Sequence, residues 1–323
     1  MYPFIVADVG GTNARFALVT DKLDGEFQLK CTRIYKGSEF ANFDLVMEDY
    51  LAQLDGVKPH AACVAIAGPI DGDAVKMTNL PWHFSQRELK QRFDLQAFNA
   101  INDFTAMAMA SSILKGESLN YVLPGSRQKH GNKAICGAGT GLGVAGLCHD
   151  GRYWLPIPSE GGHVTLGPAT IEEAELLKLM LRQHAYVSAE MCLSGPGLIN
   201  LYKAFAELEG QSAEALAAHE ISQRGLDNSD VLCRKALDQF CAFMGTVASN
   251  LALTYGAKGG VYLCGGIVPR FVDYLRKSLF KERFLNKGVM SHYLADIPVD
   301  VMVHELPAFH GAAAWMEQTL NSQ

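Results

Sequence analysis

Three short glycine-rich segments adjoin apolar, strand-like runs in this chain: DVGGTN (8–13), GAGTGLG (137–143) and CGGIVPR (264–270). Consecutive backbone N–H groups in such turns can surround a phosphate, and a residue without Cβ lets the anion approach closely. Any one of these segments alone is better explained as a plain tight turn. Their occurrence together in one chain predicts that they bind phosphate groups.

The two commonest nucleotide-binding motifs do not fit these turns. Neither of the first two segments ends in the Gly-Lys-Ser/Thr of a P-loop. Both lead into a strand, whereas the P-loop and the dinucleotide fingerprint require a helix at this point. Gly137 and Gly139 begin a GxGxxG spacing, but position 142 is a leucine. A P-loop and a dinucleotide-binding motif are therefore excluded.

Asp8 lies two residues ahead of Gly10, at the start of the first glycine turn. A carboxylate at this position can hold water around a magnesium ion that bridges bound phosphates. It can equally well accept hydrogen bonds from the turn that follows. The residue by itself leaves both roles open.

Asp103 is the second carboxylate of interest, because its segment AFNAINDFTAMAMA (97–110) is otherwise apolar, small or uncharged. A carboxylate within hydrogen-bond reach of an acceptor hydroxyl can orient it and take its proton late in phosphoryl transfer. The alternative is a helix N-cap, since a strand is predicted to end near Asn102 and a helix to begin near Thr105. A cap would bond the amides of Thr105 and Ala106, whereas a base would point a carboxylate oxygen towards a substrate.

The elements that must position these residues alternate between strand and helix patterns. The segment FIVADVGGTNARFALVT (4–20) predicts a hairpin in which Gly10, Gly11 and Asn13 tolerate positive φ. Further strands are predicted at 31–36, 62–68, 98–102, 133–137, 144–148, 261–265 and 299–304, and helices at 40–54, 85–93, 170–183, 229–255 and 310–320. The fold class predicted from this order is α/β.

An internal similarity relates two parts of the chain. GGTNARFALV begins at Gly10 and AGTGLGVAGL begins 128 residues later, and the alignment matches Gly11-Thr12 with Gly139-Thr140 and Ala17 with Ala145. Each segment reads as strand, turn and strand. The similarity suggests two related lobes that face each other.

Composition narrows the class of protein further. The 323 residues include 49% hydrophobic and 19% charged residues, enough for a large core and, by length, for two domains. The net charge of −6 comes from interspersed signs, so neither nucleic acid nor a membrane is expected as a partner. The eight cysteines form no metal-binding cluster and are predicted to be reduced core thiols of a cytoplasmic protein.

Eight segments in a fixed order carry a resemblance to a known family. They are ADVGGTNARFAL (7–18), AIAGPIDGD (65–73), MTNLPW (77–82), NDFTA (102–106), GAGTGLGVA (137–145), EGGHV (160–164), SAEMCLSGPGLINLY (188–202) and CGGIVPRF (264–271). Through them the chain resembles, nearly end to end, the bacterial-type glucokinases of the sugar-kinase, hexokinase, heat-shock-70 and actin superfamily. The cysteine-rich zinc loop of the related repressor, open-reading-frame and kinase family is missing after EGGHV, so no structural zinc is expected.

The resemblance implies a fold and a set of binding residues. It implies two actin-like, ribonuclease H-like α/β lobes around a central cleft, a smaller lobe of residues 1–107 completed by 302–323 and a larger lobe of residues 108–301. It implies sugar contacts at Asn102, Asp103, Glu160, His163 and Glu190. It also implies contacts to ATP at Asp8, Gly10, Gly11, Thr12, Asn13, Gly139, Thr140, Gly141, Gly265 and Gly266, with Mg²⁺ held through water by Asp8.

The function implied by the resemblance is ATP-dependent phosphorylation of the glucose C6 hydroxyl, with Asp103 as the general base. Two residues keep a plainer alternative: His163 fits an ordinary loop histidine, and Glu190 fits a carboxylate in the first turn of a helix. Three alternatives stay open. The acceptor could be another hexose or an amino sugar, and the donor could be polyphosphate or ADP. The chain could also be a non-catalytic sugar- or nucleotide-binding protein on the same fold. A homodimer is expected.

Overall fold

The structure is a computed structural model that describes residues 1–68, 70–77 and 80–322. Pro69, Thr78 and Asn79 of the family-like segments, and Gln323 of the predicted smaller lobe, lie outside the described residues. None of the described helices is both long enough and apolar enough to cross a membrane.

Strands and helices alternate along the described chain, as the sequence predicts. The strands are β1 (Phe4–Val9), β2 (Asn13–Leu23), β3 (Glu26–Lys36), β4 (Ala61–Ile66), β5 (Ala74–Lys76), β6 (His83–Ser85), β7 (Ala97–Asn102), β8 (Leu119–Leu123), β9 (Lys133–Ala138), β10 (Leu142–His149), β11 (Trp154–Ser159), β12 (Val261–Cys264) and β13 (Val299–Met302). The α-helices are α1 (Phe43–Ala52), α2 (Gln86–Arg92), α3 (Asp103–Ala110), α4 (Ile171–Leu181), α5 (Gly195–Leu208), α6 (Ala218–Leu226), α7 (Val231–Tyr255), α8 (Val272–Lys277), α9 (Phe280–Leu285), α10 (Ser291–Ala295) and α11 (Pro307–Ser322).

The chain divides into two compact units. The first unit comprises Met1–Gly116, Arg152–Pro158 and His304–Gln323, and the second comprises Glu117–Gly151 and Ser159–Val303. The lobe limits implied by the family resemblance stay a prediction.

The first unit contains a five-stranded sheet in the order β3-β2-β1-β4-β7. β1 pairs antiparallel with β2 and parallel with β4, and β4 pairs parallel with β7. β1 and β4 are almost wholly buried, which fits sequences that are apolar at every position except Asp8. Aromatic rings of Phe16, Phe43 and Trp82 pack on this sheet, with centroids about 6 Å apart.

Helix α3 follows β7 directly and packs against α11 in the same unit. A Cβ on Gly311 of α11 would lie 1.7 Å from the backbone oxygen of Ala106 in α3, so the two helices approach more closely than any side chain permits. This contact fixes the helix that begins at Asp103.

In the second unit, five neighbouring strands of one sheet lie in the order β10-β9-β12-β13-β8. β9 and β12 are parallel neighbours and β9 forms an antiparallel hairpin with β10. The long helix α7 supplies much of the core with its buried aromatic and small residues. The carboxyl ends of β9 and β12 lead into the second and third glycine turns, respectively.

Candidate active site

The carboxyl ends of three parallel strands in the first unit lie at one edge of the sheet. Val9 of β1 is in register with Ile66 of β4, and Ile66 is in register with Asn102 of β7. Asp8 therefore precedes this edge by one residue, and Asp103 follows it by one. Ligand-binding groups of open α/β sheets are located at this edge.

Asn102, and not Asp103, is the N-cap of helix α3. Its Oδ1 accepts hydrogen bonds from the Phe104 amide (2.9 Å) and the Thr105 amide (3.3 Å), and its Nδ2 donates to the Gly68 carbonyl oxygen at 3.0 Å. The helix therefore begins at Asp103, two residues before the predicted start near Thr105. The alternative that Asp103 caps the helix through Thr105 is wrong, because Asn102 already accepts that amide.

Asp103 is half-buried and its Oδ1 accepts a hydrogen bond from the adjacent Phe104 amide at 2.9 Å. Burial, with a smaller contribution from the negative charge of Asp8, raises the pKa of Asp103 to about 6, although the Phe104 and Asn102 hydrogen bonds oppose the shift. A carboxylate with this pKa is charged at neutral pH and can still take up a proton. That is the property a general base requires.

Asp8 is the other carboxylate of this edge. Burial raises its pKa, and Arg15, whose guanidinium nitrogen lies 4.0 Å from Oδ2, opposes the shift. A divalent cation beside Asp8 would offset the cost of burying this charge, and a carboxylate oxygen is the ligand that Mg²⁺ prefers. The residue therefore fits the predicted magnesium contact. Among the described residues, no group of three or more His, Cys, Asp or Glu side chains could hold a metal ion by itself.

The first glycine turn closes the hairpin of β1 and β2, as the sequence predicts. Val9 pairs with Ala14, so the turn consists of residues 10–13. The Gly10 amide donates to the Asn13 carbonyl oxygen at 2.9 Å. The sequence suggested that Gly10, Gly11 and Asn13 tolerate a positive φ, but none of the three adopts one. A Cβ on Gly10 would lie 3.8 Å from the Asn13 carbonyl oxygen, an ordinary contact, so neither an unusual φ nor a close approach within the chain requires glycine there.

The second and third glycine turns meet in the second unit. Residues 139–141 close the hairpin of β9 and β10, and the Gly139 amide donates to the Gly141 carbonyl oxygen at 2.8 Å. Gly265 has a φ of 87°, and a Cβ there would lie 2.3 Å from the carbonyl oxygen of Ala138. The structure thus brings together two of the three predicted phosphate turns. Thr140, at the tip of the second turn, is exposed.

A helix N-terminus adjoins the second turn, a feature that the sequence analysis missed. The Gly195 amide, at the start of the 14-residue helix α5, donates to the Gly139 carbonyl oxygen at 2.8 Å. Ser194 caps this helix by accepting the Gly197 amide at 3.0 Å. The signal was available in Ser-Gly-Pro-Gly, because Ser at the N-cap followed by Pro in the first turn is typical of a helix start.

Glu160 directly precedes a single 3₁₀ turn, Gly161–His163, which ends at His163, and both side chains are exposed. The His163 amide donates to the Glu160 carbonyl oxygen at 3.0 Å. His163 Nδ1 lies 3.9 Å from Glu190 Oε1. Two of the predicted sugar-contacting residues of the second unit are therefore neighbours.

Glu190 lies in the turn before α5 and not in the first turn of a helix, so that alternative for Glu190 is wrong. Its Oε2 accepts a hydrogen bond from the Leu142 amide at 2.8 Å. Leu142 directly follows the second glycine turn. The structure thus joins a predicted sugar-contacting residue to a predicted phosphate turn.

Comparison with known proteins decides the family. A family model described as Glucokinase matches residues 5–319. The glucokinase of Saccharophagus degradans is 53% identical over 318 residues, which cover 98% of this chain and 99% of that protein. The chain belongs to the glucokinase family. The predicted family is confirmed, and with it the enzyme class of ATP-dependent hexose kinases.

Solved structures of other glucokinases share the fold. A glucokinase from an Antarctic psychrotroph superimposes with a TM-score of 0.93 at 38% identity, covering 98% of this chain and 99% of that one. A ROK family glucokinase from Streptomyces griseus, solved with glucose and AMPPNP, has a TM-score of 0.63 at 18% identity and covers 98% of this chain and 100% of its own. The predicted α/β class with the actin-like sugar-kinase fold is confirmed.

Proposed function

We propose that this member of the glucokinase family transfers the γ-phosphate of ATP to the C6 hydroxyl of glucose, with Asp103 as the general base. The observation that carries this assignment is that Asn102, and not Asp103, caps the helix. Asn102 caps α3, which leaves the carboxylate of Asp103 at the strand edge with a pKa of about 6. The Streptomyces griseus kinase solved with glucose and AMPPNP shares this fold.

In the proposed step, the C6 hydroxyl donates a hydrogen bond to the Asp103 carboxylate and attacks the γ-phosphorus in line. The new O–P bond forms, the bond from the γ-phosphorus to the β–γ bridging oxygen breaks, and ADP leaves. The hydroxyl proton passes to Asp103 late in the reaction. Asn102 orients the acceptor sugar beside the base.

The glycine turns supply the phosphate contacts in this proposal. Backbone N–H groups of residues 10–13 and 139–141 donate to phosphate oxygens, and Gly265 and Gly266 lie against the adenosine. Mg²⁺, held through water by Asp8, would neutralise charge on the phosphates when bound. Glu160, His163 and Glu190 supply hydrogen bonds to sugar hydroxyls.

A coupled assay of ADP release with and without glucose tests the proposed function. We expect ADP release to require glucose, because water is a poor acceptor in a kinase site built for a hydroxyl. ATP binding without any glucose-dependent ADP release would favour a non-catalytic nucleotide-binding protein.

The activity should depend on pH through Asp103. Because the base must be ionised and burial raises its pKa to about 6, kcat/KM should fall as the pH drops below about 6. The measurement is kcat/KM for glucose between pH 5 and 8 at saturating ATP. A profile that stays flat down to pH 5 would contradict an Asp103 base with a raised pKa.

Replacing Glu160 with glutamine should weaken glucose binding more than nucleotide binding. We expect KM for glucose to rise by about 10-fold or more, because a hydrogen bond to a charged group contributes about 1.5–3 kcal/mol. KM values for glucose and ATP measured on the same preparation provide the comparison. Equal losses for the two substrates would indicate a folding defect instead of a sugar contact.

The acceptor and donor are tested with a panel of hexoses and amino sugars against ATP, ADP and polyphosphate. We expect the highest kcat/KM for glucose with ATP, since a site that hydrogen-bonds specific hydroxyls rejects analogues that leave its polar groups unpaired. A higher value for an amino sugar would reassign the acceptor and keep the mechanism.

A homodimer and a cytoplasmic location belong to the same proposal. Ile171 (80% exposed), Leu208 and Leu279 line one surface groove of the second unit, an exposed apolar patch that supports association with a second copy. Light scattering of the purified protein measures the mass directly, and a mass of one chain at micromolar concentration would contradict the dimer.

A further inference from the structure

The backbone of Glu190 is tied to the loop that carries His163. The Glu190 amide donates to the Gly162 carbonyl oxygen at 2.8 Å, and the Glu190 carbonyl oxygen accepts from Ser194 Oγ at 2.8 Å. The loop itself lies against the start of β10, because a Cβ on Gly162 would be 1.9 Å from the Leu142 carbonyl oxygen. The position of Glu190 is therefore determined by two neighbouring segments.

The side chain of Glu190 extends to the phosphate turn. Oε2 accepts the Leu142 amide at 2.8 Å, and a Cβ on Gly141 would lie 2.5 Å from the same oxygen. The carboxylate thus covers the backbone of Gly141, where a larger residue would displace it. The other oxygen, Oε1, is the one that lies near His163.

From this arrangement we infer that Glu190 is a positioning residue for the phosphate turn at residues 139–141. Through Glu190, this turn is coupled to the loop that carries His163. One carboxylate oxygen holds the turn, and the other is directed to the loop. The inference rests on the proposed function for the identity of the ligands. It goes beyond a sugar contact, because it gives Glu190 an effect on nucleotide binding in the absence of sugar.

A sugar contact and a positioning residue predict different nucleotide affinities. A residue that only contacts glucose leaves the binding of AMPPNP unchanged when no glucose is present. If Glu190 holds the turn, its replacement changes the affinity for AMPPNP. Without Glu190 the Leu142 amide loses its hydrogen-bond partner, and the turn loses that support. Coupling of this kind is reciprocal, so glucose and nucleotide should each increase the affinity for the other.

The test uses Glu190→Met and Glu190→Gln in the full chain, with isothermal titration of AMPPNP without glucose. Methionine has a similar length and no strong acceptor, whereas the glutamine amide oxygen can still accept the Leu142 amide. We expect the Kd for AMPPNP to rise about 5- to 10-fold in Glu190→Met and by less than about 2-fold in Glu190→Gln. Glu175→Met, an exposed α4 carboxylate in the same unit, is the matched control and should not change the Kd.

A second titration at saturating glucose measures the coupling. In the unsubstituted protein and in Glu190→Gln we expect glucose to lower the Kd for AMPPNP by about fivefold or more, and in Glu190→Met this effect should be lost. Glu190→Ala takes the place of Glu190→Met if the melting curve shows that the methionine variant does not fold.

Two results would overturn the inference. One is an unchanged AMPPNP affinity in Glu190→Met without glucose, and the other is an equal loss in the methionine and glutamine variants. Failure of the proposed function is distinguishable, because it would be seen in the unsubstituted protein as AMPPNP binding without glucose-dependent ADP release.

Discussion

Replacing Asp103 with asparagine should lower kcat about 10²- to 10⁴-fold while glucose still binds. Asparagine keeps the size of the side chain and an oxygen that can accept a hydrogen bond, but it cannot take up the proton of the C6 hydroxyl. The N-cap of α3 is supplied by Asn102, so the helix start should be unaffected. Steady-state kcat and calorimetric glucose binding on one preparation measure the two effects.

Asp94→Asn provides the matched control for this substitution. Asp94 is exposed in the same unit and has a φ of 50°, a conformation that asparagine tolerates well. We expect its kcat to equal that of the unsubstituted protein. Turnover of Asp103→Asn near the level of this control would remove Asp103 from the role of base.

The second large effect is expected for Gly265→Ala, which should reduce the free energy of unfolding by about 2–4 kcal/mol. Gly265 has a φ of 87°, and an added Cβ would lie 2.3 Å from the Ala138 carbonyl oxygen. Neither the φ nor the backbone contact can be relieved without moving β9 or β12. Urea unfolding of the purified variant provides the measurement.

Gly266→Ala is the control from the adjacent position. A Cβ on Gly266 would meet no atom within 4 Å, and its φ lies outside the left-handed region. We therefore expect its free energy of unfolding to stay within about 0.5 kcal/mol of the unsubstituted protein. Equal destabilisation in the two variants would show that the close approach at Gly265 does not limit stability.

The hairpins and the long helix could be predicted from sequence because their patterns are local. The segment 4–20 forms β1 and β2, and the helix predicted at 229–255 is α7 (Val231–Tyr255). The two segments related by 128 residues are both hairpins. Alternation of apolar residues and turn glycines determines such elements without reference to distant parts of the chain.

Helix α5 and the start of strand β3 were not predicted from the sequence. Helix α5 (Gly195–Leu208) begins with Gly-Pro-Gly, residues that usually interrupt a helix and here form its first turn after the Ser194 cap. Strand β3 begins at Glu26, five residues before the predicted start, and here the signal was available, because the apolar Phe27 and Leu29 alternate with polar residues. Cys31 in this strand is exposed and not a core thiol.

In the candidate site, too, the individual hydrogen bonds could not be predicted from the sequence. The pair Asn102-Asp103 contains two good capping residues, and the sequence does not tell which of them accepts the amides. The contact of Glu190 with the Leu142 amide joins residues 48 positions apart. The family resemblance pointed to Glu190, but only the folded chain shows that its carboxylate is in contact with the phosphate turn.

The most direct test of the proposed mechanism is phosphorus NMR of the products formed from ATP and glucose by the unsubstituted protein and by Asp103→Asn. We expect the unsubstituted protein to form ADP and glucose 6-phosphate in equal amounts, and Asp103→Asn to form neither at a comparable rate. Glucose 6-phosphate formed by Asp103→Asn at the rate of the unsubstituted protein, or a phosphate on another hydroxyl, would contradict the assignment.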